Sequence, residues 1–324
     1  MSIDIIIPVY QAKNTLKRLL YSIAYQKNSD SFNVYLINDA DGIDYSDDIS
    51  IFNGVLRIKE LNLSENSGPG VARQYGIDNS SSEFIVFADT DDYFYSPFAI
   101  FSMYEKISSN NSDLLVSEFI YERDNKVLIK KNNPVWLHGK MYRRSFLNEY
   151  NISFNNSRSN EDNGFNRLIL FCKPRVSFLD EITYVYCENS LSITRKNNRE
   201  YKYFGIEGYA YNMKWAIEEA IKRKVSLISI GNFSLVVLIF MYFYYLELYD
   251  QYDVSRIVDW AKPIADIYVK YGNLYKDSAN FSVLVQKYFE SDFKDSKIKF
   301  IISLEEFLNM LGVELCDWCY NSCL

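Results

Sequence analysis

Positive charge is what this 324-residue sequence has least to spare: 35 Lys and Arg stand against 42 Asp and Glu, a formal net charge of −7. A nucleic-acid binder usually carries a basic face, so that class is disfavoured. Phosphorylated small molecules stay open, because local amides and a bound cation can outweigh global charge. Cysteine is scarce too. Five of them, an odd number, fit a reduced cytosolic chain better than a disulfide framework. Three, Cys316, Cys319 and Cys323, crowd the C-terminus, but a zinc site wants four ligands in spaced pairs and no convincing fourth is present. Histidine occurs once, at His138. The opening MSIDIIIPVYQ has no basic stretch, and its apolar run holds Asp4 and is too short for a signal peptide, so a cytoplasmic chain is expected. The segment IIIPVYQAKN also lacks glycine, which removes the early Gly-rich phosphate loop that a nucleotidyltransferase would need. No repeat of fixed period is visible.

What is there is hydrophobic and aromatic material, 48% and 17% of the residues, ample for a packed core. IDIIIPVY (3–10) reads as a buried strand stopped by Pro8. NTLKRLLYSIAYQ follows with Leu16, Leu19, Leu20, Ile23 and Ala24 at helical spacing. FNVYLIND is a second strand ending at Asp39, and VLRIKELN is a third. The turn SENSGPG leads into a helix through VARQYGIDN, and EFIVFA is a fourth strand. Strands alternating with helices predict an α/β fold, a mostly parallel sheet with helices on both faces, whose ligands bind outside the carboxyl ends of the strands. Further on, helices are expected near 97–108, at GKMYRRSFLNEYN and at EDNGFNRLILFC. Strands are expected near 113–121 and 126–130, then at RVSFLD and ITYVYCEN. From about Tyr201 the texture becomes long apolar and amphipathic segments with few strand signals. The predicted organisation is an α/β domain over 1–195 and an all-α C-terminal domain over 196–324.

Within that second part, 225–246 runs 22 residues without a charge, after Lys222-Arg223-Lys224. Its length satisfies the test for a membrane span. Ser226, Ser229, Gly231, Asn232 and Ser234 interrupt it, and Glu247 and Asp250 follow, so the expectation is a buried helix of a soluble helical domain or subunit interface. Peripheral membrane contact stays open.

The densest chemistry lies in EFIVFADTDDYF. A core strand runs directly into Asp89, Asp91 and Asp92, carboxylates that repel one another where burial worsens the repulsion. Such a cluster suits a hard divalent cation, which in the case of Mg²⁺ also takes phosphate oxygens and waters. The plain alternative is a turn in which Asp92 or Ser96 caps the next helix. The phosphatase-like Asp-x-Asp of haloacid dehalogenases fits poorly, since it follows the first strand and continues with Thr or Val, whereas here Tyr93 follows.

The ordered set IIIPVY, INDADG, ENSGPGVARQYG, FADTDD and, about seventy residues later, NEDNGFNRL resembles the family 2 glycosyltransferases, inverting enzymes of the GT-A fold that use nucleotide sugars. The resemblance covers roughly 3–195. It implies that Pro8, Val9 and Tyr10 line the nucleobase and ribose site and that Asp39 hydrogen-bonds the base or ribose. Gly68 would allow close backbone approach to the nucleotide, and Arg73 would face the base or donor phosphates. Asp89, beside Thr90, would contact ribose or a metal-bound water and counts with Asp91 as a metal residue, and Asp91 would ligate a Mn²⁺ or Mg²⁺ ion bridging the diphosphate of a UDP-sugar. Asp162 would be the catalytic base, with Glu161 beside it. Without the other motifs, Glu161-Asp162 would read as a charged first helical turn. Ser192 and Arg195 could close over the diphosphate, and Trp136, His138 and Lys140 would border the donor sugar and acceptor.

The chemistry explains the residue types. A sugar hydroxyl is a poor nucleophile, so a carboxylate must take its proton as the new bond forms. The departing diphosphate develops charge that a divalent cation and cationic side chains neutralise. Two departures from the family pattern stand out: IND replaces the commoner VDD, and Cys187 or Glu188 occupies a place where histidine is common. The Asn- and aromatic-rich composition suggests a low-GC bacterium and a surface glycan or glycoprotein as product. The competing expectation is a degenerate nucleotide-sugar-binding module that scaffolds partners, against which stand both intact carboxylate motifs. A homo-oligomer through the C-terminal helices is also expected.

Overall fold

The computed structural model describes residues 2–123, 126–189, 200–250, 252–272, 285–286, 289–293 and 298–313. It divides into two compact units, Met1–Arg195 and Lys196–Leu324.

In the first unit the elements run β1 (Ile3–Val9), α1 (Leu16–Ala24), β2 (Phe32–Asn38), α2 (Ser46–Ser50), β3 (Arg57–Asn62), α3 (Pro69–Asp78), β4 (Phe84–Phe87) and β5 (Tyr93–Phe94). They continue with α4 (Ala99–Ser109), β6 (Leu114–Arg123), β7 (Lys126–Lys130), β8 (Lys140–Arg143), α5 (Arg144–Glu149), α6 (Glu161–Phe171) and β9 (Val176–Tyr186). The nine strands form one sheet in the order β3-β2-β1-β4-β8-β6-β9-β5, with β7 beside β6. The first four are parallel, as the alternation of strands and helices predicts. Beyond β4 the sheet is mixed: β8 runs antiparallel to both β4 and β6, and β9 returns parallel to β6.

Two sequence expectations change here. GKMYRRSFLNEYN is not one helix, because Lys140–Arg143 pairs with β4 and β6 before α5 begins. RVSFLD and ITYVYCEN are not two strands but one, β9, which keeps pairing β6 through register shifts around Ser117–Phe119. Such irregularities let a strand absorb extra residues without ending.

Both faces are covered. Alternation along β1 sends Ile5, Ile7 and Val9 into a core with Leu16, Leu19, Leu20 and Ile23 of α1 and Ile100, Met103 and Ile107 of α4. Ile6 points the other way onto α3. Gly76 permits that approach, since a Cβ there would stand 2.4 Å from the Ile6 side chain. On the same face Phe154 and Phe165 stack 4.0 Å apart beneath Phe87, anchoring α6. Each buried aromatic of this kind contributes about 2–3 kcal/mol.

The second unit is helical, with α7 (Glu200–Lys222), α8 (Leu227–Leu248), α9 (Ser255–Tyr271) and α10 (Leu304–Met310). The uncharged segment forms α8, and Leu235, Val237, Leu238, Ile239, Met241 and Phe243 along it are all buried. Among the described residues one helical stretch, Ser229–Leu248, is long and apolar enough to cross a bilayer; 72% of its apolar window is buried inside the protein. Gly231 admits α9, where a Cβ would meet the Tyr271 carbonyl at 2.6 Å. A reciprocal cap starts α10: the Glu306 N–H donates to Ser303 Oγ (3.1 Å) and the Ser303 N–H to Glu306 Oε2 (2.6 Å). Cys316, Cys319 and Cys323 lie outside the described residues.

Candidate active site

The carboxyl ends of β1, β2 and β4 and the start of α3 share one end of the parallel strands, where such sheets bind ligands. Tyr10, just past β1, is 44% exposed there, whereas the Val9 side chain belongs to the core. Pro8 is half-buried. The Val9 carbonyl accepts from the Asp39 N–H at 2.9 Å, tying β1 to the end of β2. Asp39 is buried, and its carboxylate accepts the backbone N–H of Ser67 at 2.7 Å and of Gly68 at 2.8 Å. Gly68 sits at φ +90, a conformation that favours glycine, with Arg158 Cγ 3.4 Å from where a Cβ would be. The turn into α3 is thus fixed from the end of β2.

Five residues further on, α3 carries Arg73 into the interior. The residue is 4% exposed, and its guanidinium donates from Nη1 to Glu161 Oε1 at 2.7 Å and from Nη2 to Asp89 Oδ1 at 2.6 Å. Burial opposes its charge, but the two carboxylates beside it outweigh burial and raise its pKa. Burial likewise opposes ionisation of Asp89, yet Arg73 holds that carboxyl below its ordinary value. Asp91 is different: burial, reinforced by Asp89, raises it, while Asn189 Nδ2 donates to its Oδ2 at 2.9 Å. Thr90 is half-buried between them.

Asp92 is fully buried and closes a turn, its N–H donating to the Asp89 carbonyl at 3.1 Å, but its side chain caps no helix, which corrects that part of the alternative reading. Its Oδ1 accepts from the Cys187 N–H at 2.8 Å, and its Oδ2 has no hydrogen-bond partner and lies 3.7 Å from His138 Nδ1. Burial, with Asp89 and Asp91 nearby, lifts the Asp92 carboxyl well above the usual range. Ligand atoms of Asp89, Asp92 and His138 lie within 4.8 Å of one another, a set that leaves out Asp91. His138 stacks on Tyr184 (centroids 5.5 Å) and against Tyr186 (4.6 Å), and burial lowers it to about 4, so its imidazole is neutral with a free lone pair. Cys187 is a poorer donor, because burial pushes its thiol up to about 12.

Glu161 and Asp162 open α6. Glu161 fits because Gly70 faces it, where a Cβ would come within 2.9 Å of Glu161 Cγ. Burial, aided by Glu161, raises Asp162 from 3.8 to about 7. Lys140 on β8 is buried, donates from Nζ to the Asn133 carbonyl at 2.8 Å and to the Trp136 carbonyl, and burial lowers it to about 7. It thereby holds the 133–136 loop, where Trp136 packs edge-on to Tyr121 with centroids 5.2 Å apart. Ser192 and Arg195 lie outside the described residues.

Residues 4–160 match the family described as "Glycosyl transferase family 2". The N-terminal unit carries a family 2 glycosyltransferase domain. Among its relatives, the glycosyltransferase GlyA of Streptococcus pneumoniae is 22% identical over 272 residues, 71% of this chain and 38% of that protein. TarS of Staphylococcus aureus, a poly(ribitol-phosphate) β-N-acetylglucosaminyltransferase, is 24% identical over 203 residues, 57% of this chain and 35% of that protein. The chain spans from 38% down to 13% of the length of the first four curated relatives it matches. The crystal structure of TarS 1–349 with UDP-GlcNAc aligns with a TM-score of 0.69 at 18% identity, covering 89% of this chain and 85% of that one. The mannosyltransferase PcManGT of Pyrobaculum calidifontis, in complex with GDP-Man and Mn²⁺, aligns at 0.54 with 12% identity, covering 96% and 85%. Both similarities establish the GT-A fold.

In this glycosyltransferase domain three polar groups have partners that sequence reasoning did not assign. Asp92 was counted in the FADTDD cluster, with a helix cap as the alternative, and its neighbours are Cys187 and His138. Asp41, inside INDADG, accepts from the Gln11 N–H and the Tyr45 hydroxyl, both at 2.7 Å, bracing the loop after β1. Tyr184, whose hydroxyl accepts from the Asp89 N–H at 3.0 Å, opens the YVYCEN stretch, in which only Cys187 and Glu188 were singled out.

Proposed function

We propose that the protein is an inverting glycosyltransferase that moves a hexose or N-acetylhexosamine from a UDP-sugar to an acceptor hydroxyl of a bacterial surface glycan or glycoprotein. The observation that carries this reading is Arg73, bonded at once to Asp89 of the donor motif and Glu161 of the acid pair. Through it, a carboxylate cluster suited to the donor diphosphate and a carboxyl suited to a general base belong to one site. Asp162, near 7, is poised to exist as carboxylate at neutral pH and to gain a proton readily, the condition for a general base. Tyr10 at the mouth supports nucleoside binding, and Trp136 supports sugar stacking. Asp39 supports the nucleoside pocket by fixing its floor.

A divalent cation fits the residues present. The orphaned Asp92 Oδ2, the Asp89 carboxylate and the neutral His138 ring offer two hard oxygens and a nitrogen, a donor set that Mn²⁺ accepts. When bound, such an ion would neutralise charge on the departing diphosphate. The remaining work falls to the chain. Arg73 holds Asp89 and Glu161 apart at fixed spacing, Lys140 fixes the Trp136 loop, and the Asp162 carboxylate takes the acceptor proton. The helical unit is assigned to self-association or acceptor binding, in the cytoplasm or at the inner membrane face. UDP release from a panel of UDP-sugars, with Mn²⁺, Mg²⁺ or chelator and with Asp162→Asn as control, tests the reading. Metal-stimulated turnover of one donor, lost in the variant, supports it; no turnover of any sugar nucleotide refutes it in favour of a non-catalytic module.

A further inference from the structure

We propose that Arg73 is a positioning residue, a fixed cationic brace that ties donor-side Asp89 to Glu161 and so sets the place of the first turn of α6, which carries Asp162. The inference rests on the transferase reading and goes beyond it, because it assigns Arg73 to the acceptor half of the reaction and not to the nucleotide.

Three observations carry it. Both terminal nitrogens of Arg73 are already bonded to protein carboxylates, and its remaining donor, Nε, is buried with no hydrogen-bond partner. The guanidinium also lies over the Phe154 ring, 5.9 Å from its centroid, on the aromatic stack that anchors α6. Finally, Gly70 leaves room on α3 for Glu161 to reach this cation. Helix α3 and the first turn of α6 are therefore joined through one side chain.

Among the described residues, charged groups from several elements act on Asp162. Glu161 on the same helix and Asp89 from the end of β4 oppose its ionisation, and Arg73 from α3 favours it. Lys140 and Tyr142, both on β8, complete the surroundings. The neighbours thus act in opposite directions, which gives the brace a signature that a purely structural residue lacks. Removing the Glu161 charge should make Asp162 easier to ionise; weakening Arg73 should make it harder.

Carbon-13 NMR of the full chain, labelled at aspartate carboxyls and titrated without ligands, reads this directly, with Asp162→Asn identifying the resonance. In Glu161→Gln the Asp162 midpoint should fall by about one pH unit, and in Arg73→Gln it should rise by about one, the usual effect of a charge within a few ångströms. Arg73→Lys keeps the charge but not the two-pronged geometry, and should give a smaller rise; it decides the matter should Arg73→Gln fail to fold. Unmoved midpoints in Glu161→Gln and Arg73→Lys overturn the proposal. The two readings fail separately: unmoved midpoints with transfer lost in Asp162→Asn remove the brace alone. Shifted midpoints with transfer intact in Asp162→Asn keep the brace and remove the base.

Discussion

Replacing Asp162 with asparagine should make the protein both less active and harder to melt. Burial, with Glu161 beside it, moves this carboxyl from 3.8 to about 7. A displacement of about three units corresponds to a ceiling of roughly 4 kcal/mol taken from the folded state when Asp162 ionises. Because the side chain is only partly buried, solvent screening reduces this to about 1–2 kcal/mol. The sign follows from the direction of the shift. The folded chain binds this proton more tightly than the unfolded one, so the penalty is absent below pH 4, grows as pH rises and is complete above about 7. Asparagine, neutral and nearly isosteric, removes it. At about 2–4 °C per kcal/mol, the melting temperature of the ligand-free variant should rise by about 2–8 °C at pH 8 and by less at pH 5. Sugar transfer should fall by on the order of 10² or more, with donor affinity within a few fold of wild type. Calorimetry at the two pH values, beside a transfer assay, measures both effects. A variant that melts at or below wild type at pH 8, or gains equally at pH 5, refutes the argument from buried charge.

Three other outcomes are expected. Mn²⁺ affinity, followed by electron paramagnetic resonance, should drop by more than about 100-fold in Asp92→Asn and in His138→Phe, beyond the roughly 10–100-fold that losing an outer-shell partner costs; equal binding in both variants would move the cation to Asp91. Gly76→Ala should destabilise the first unit by about 1–3 kcal/mol, since its Cβ would overlap Ile6, and chemical denaturation monitors this. Expression without detergent should yield the full chain in the soluble fraction, because α8 spends its apolar surface inside the protein; recovery solely in membranes would reverse that reading.

The parallel half of the fold was legible because each strand carries its own signal. Ile3–Val9 and Phe84–Phe87 are continuous apolar runs, and α1 places Leu16, Leu19, Leu20 and Ile23 on one face. The mixed half was less legible because its register is set by partners distant in sequence. Met141 and Tyr142 have no strand-like neighbours, and their pairing comes from β4 and β6. At the site, the carboxylates could be found by their local clustering, but what each one touches could not. Asp92 and Asp91 are adjacent in sequence, yet one is sealed beside His138 and the other faces Asn189. Arg73 was expected to face the base or donor phosphates, and its two carboxylate partners, Asp89 and Glu161, come from other elements and leave no mark in the local sequence.

The clamp that Asp39 places on Ser67 and Gly68 has a mechanical consequence. It pins the starting end of α3, and the same short helix delivers Arg73 to the acid pair at the other side of the crevice. Helix α3 is therefore a yoke: a carboxylate from the end of β2 holds its first turn, and carboxylates from the end of β4 and the start of α6 hold the side chain five residues on.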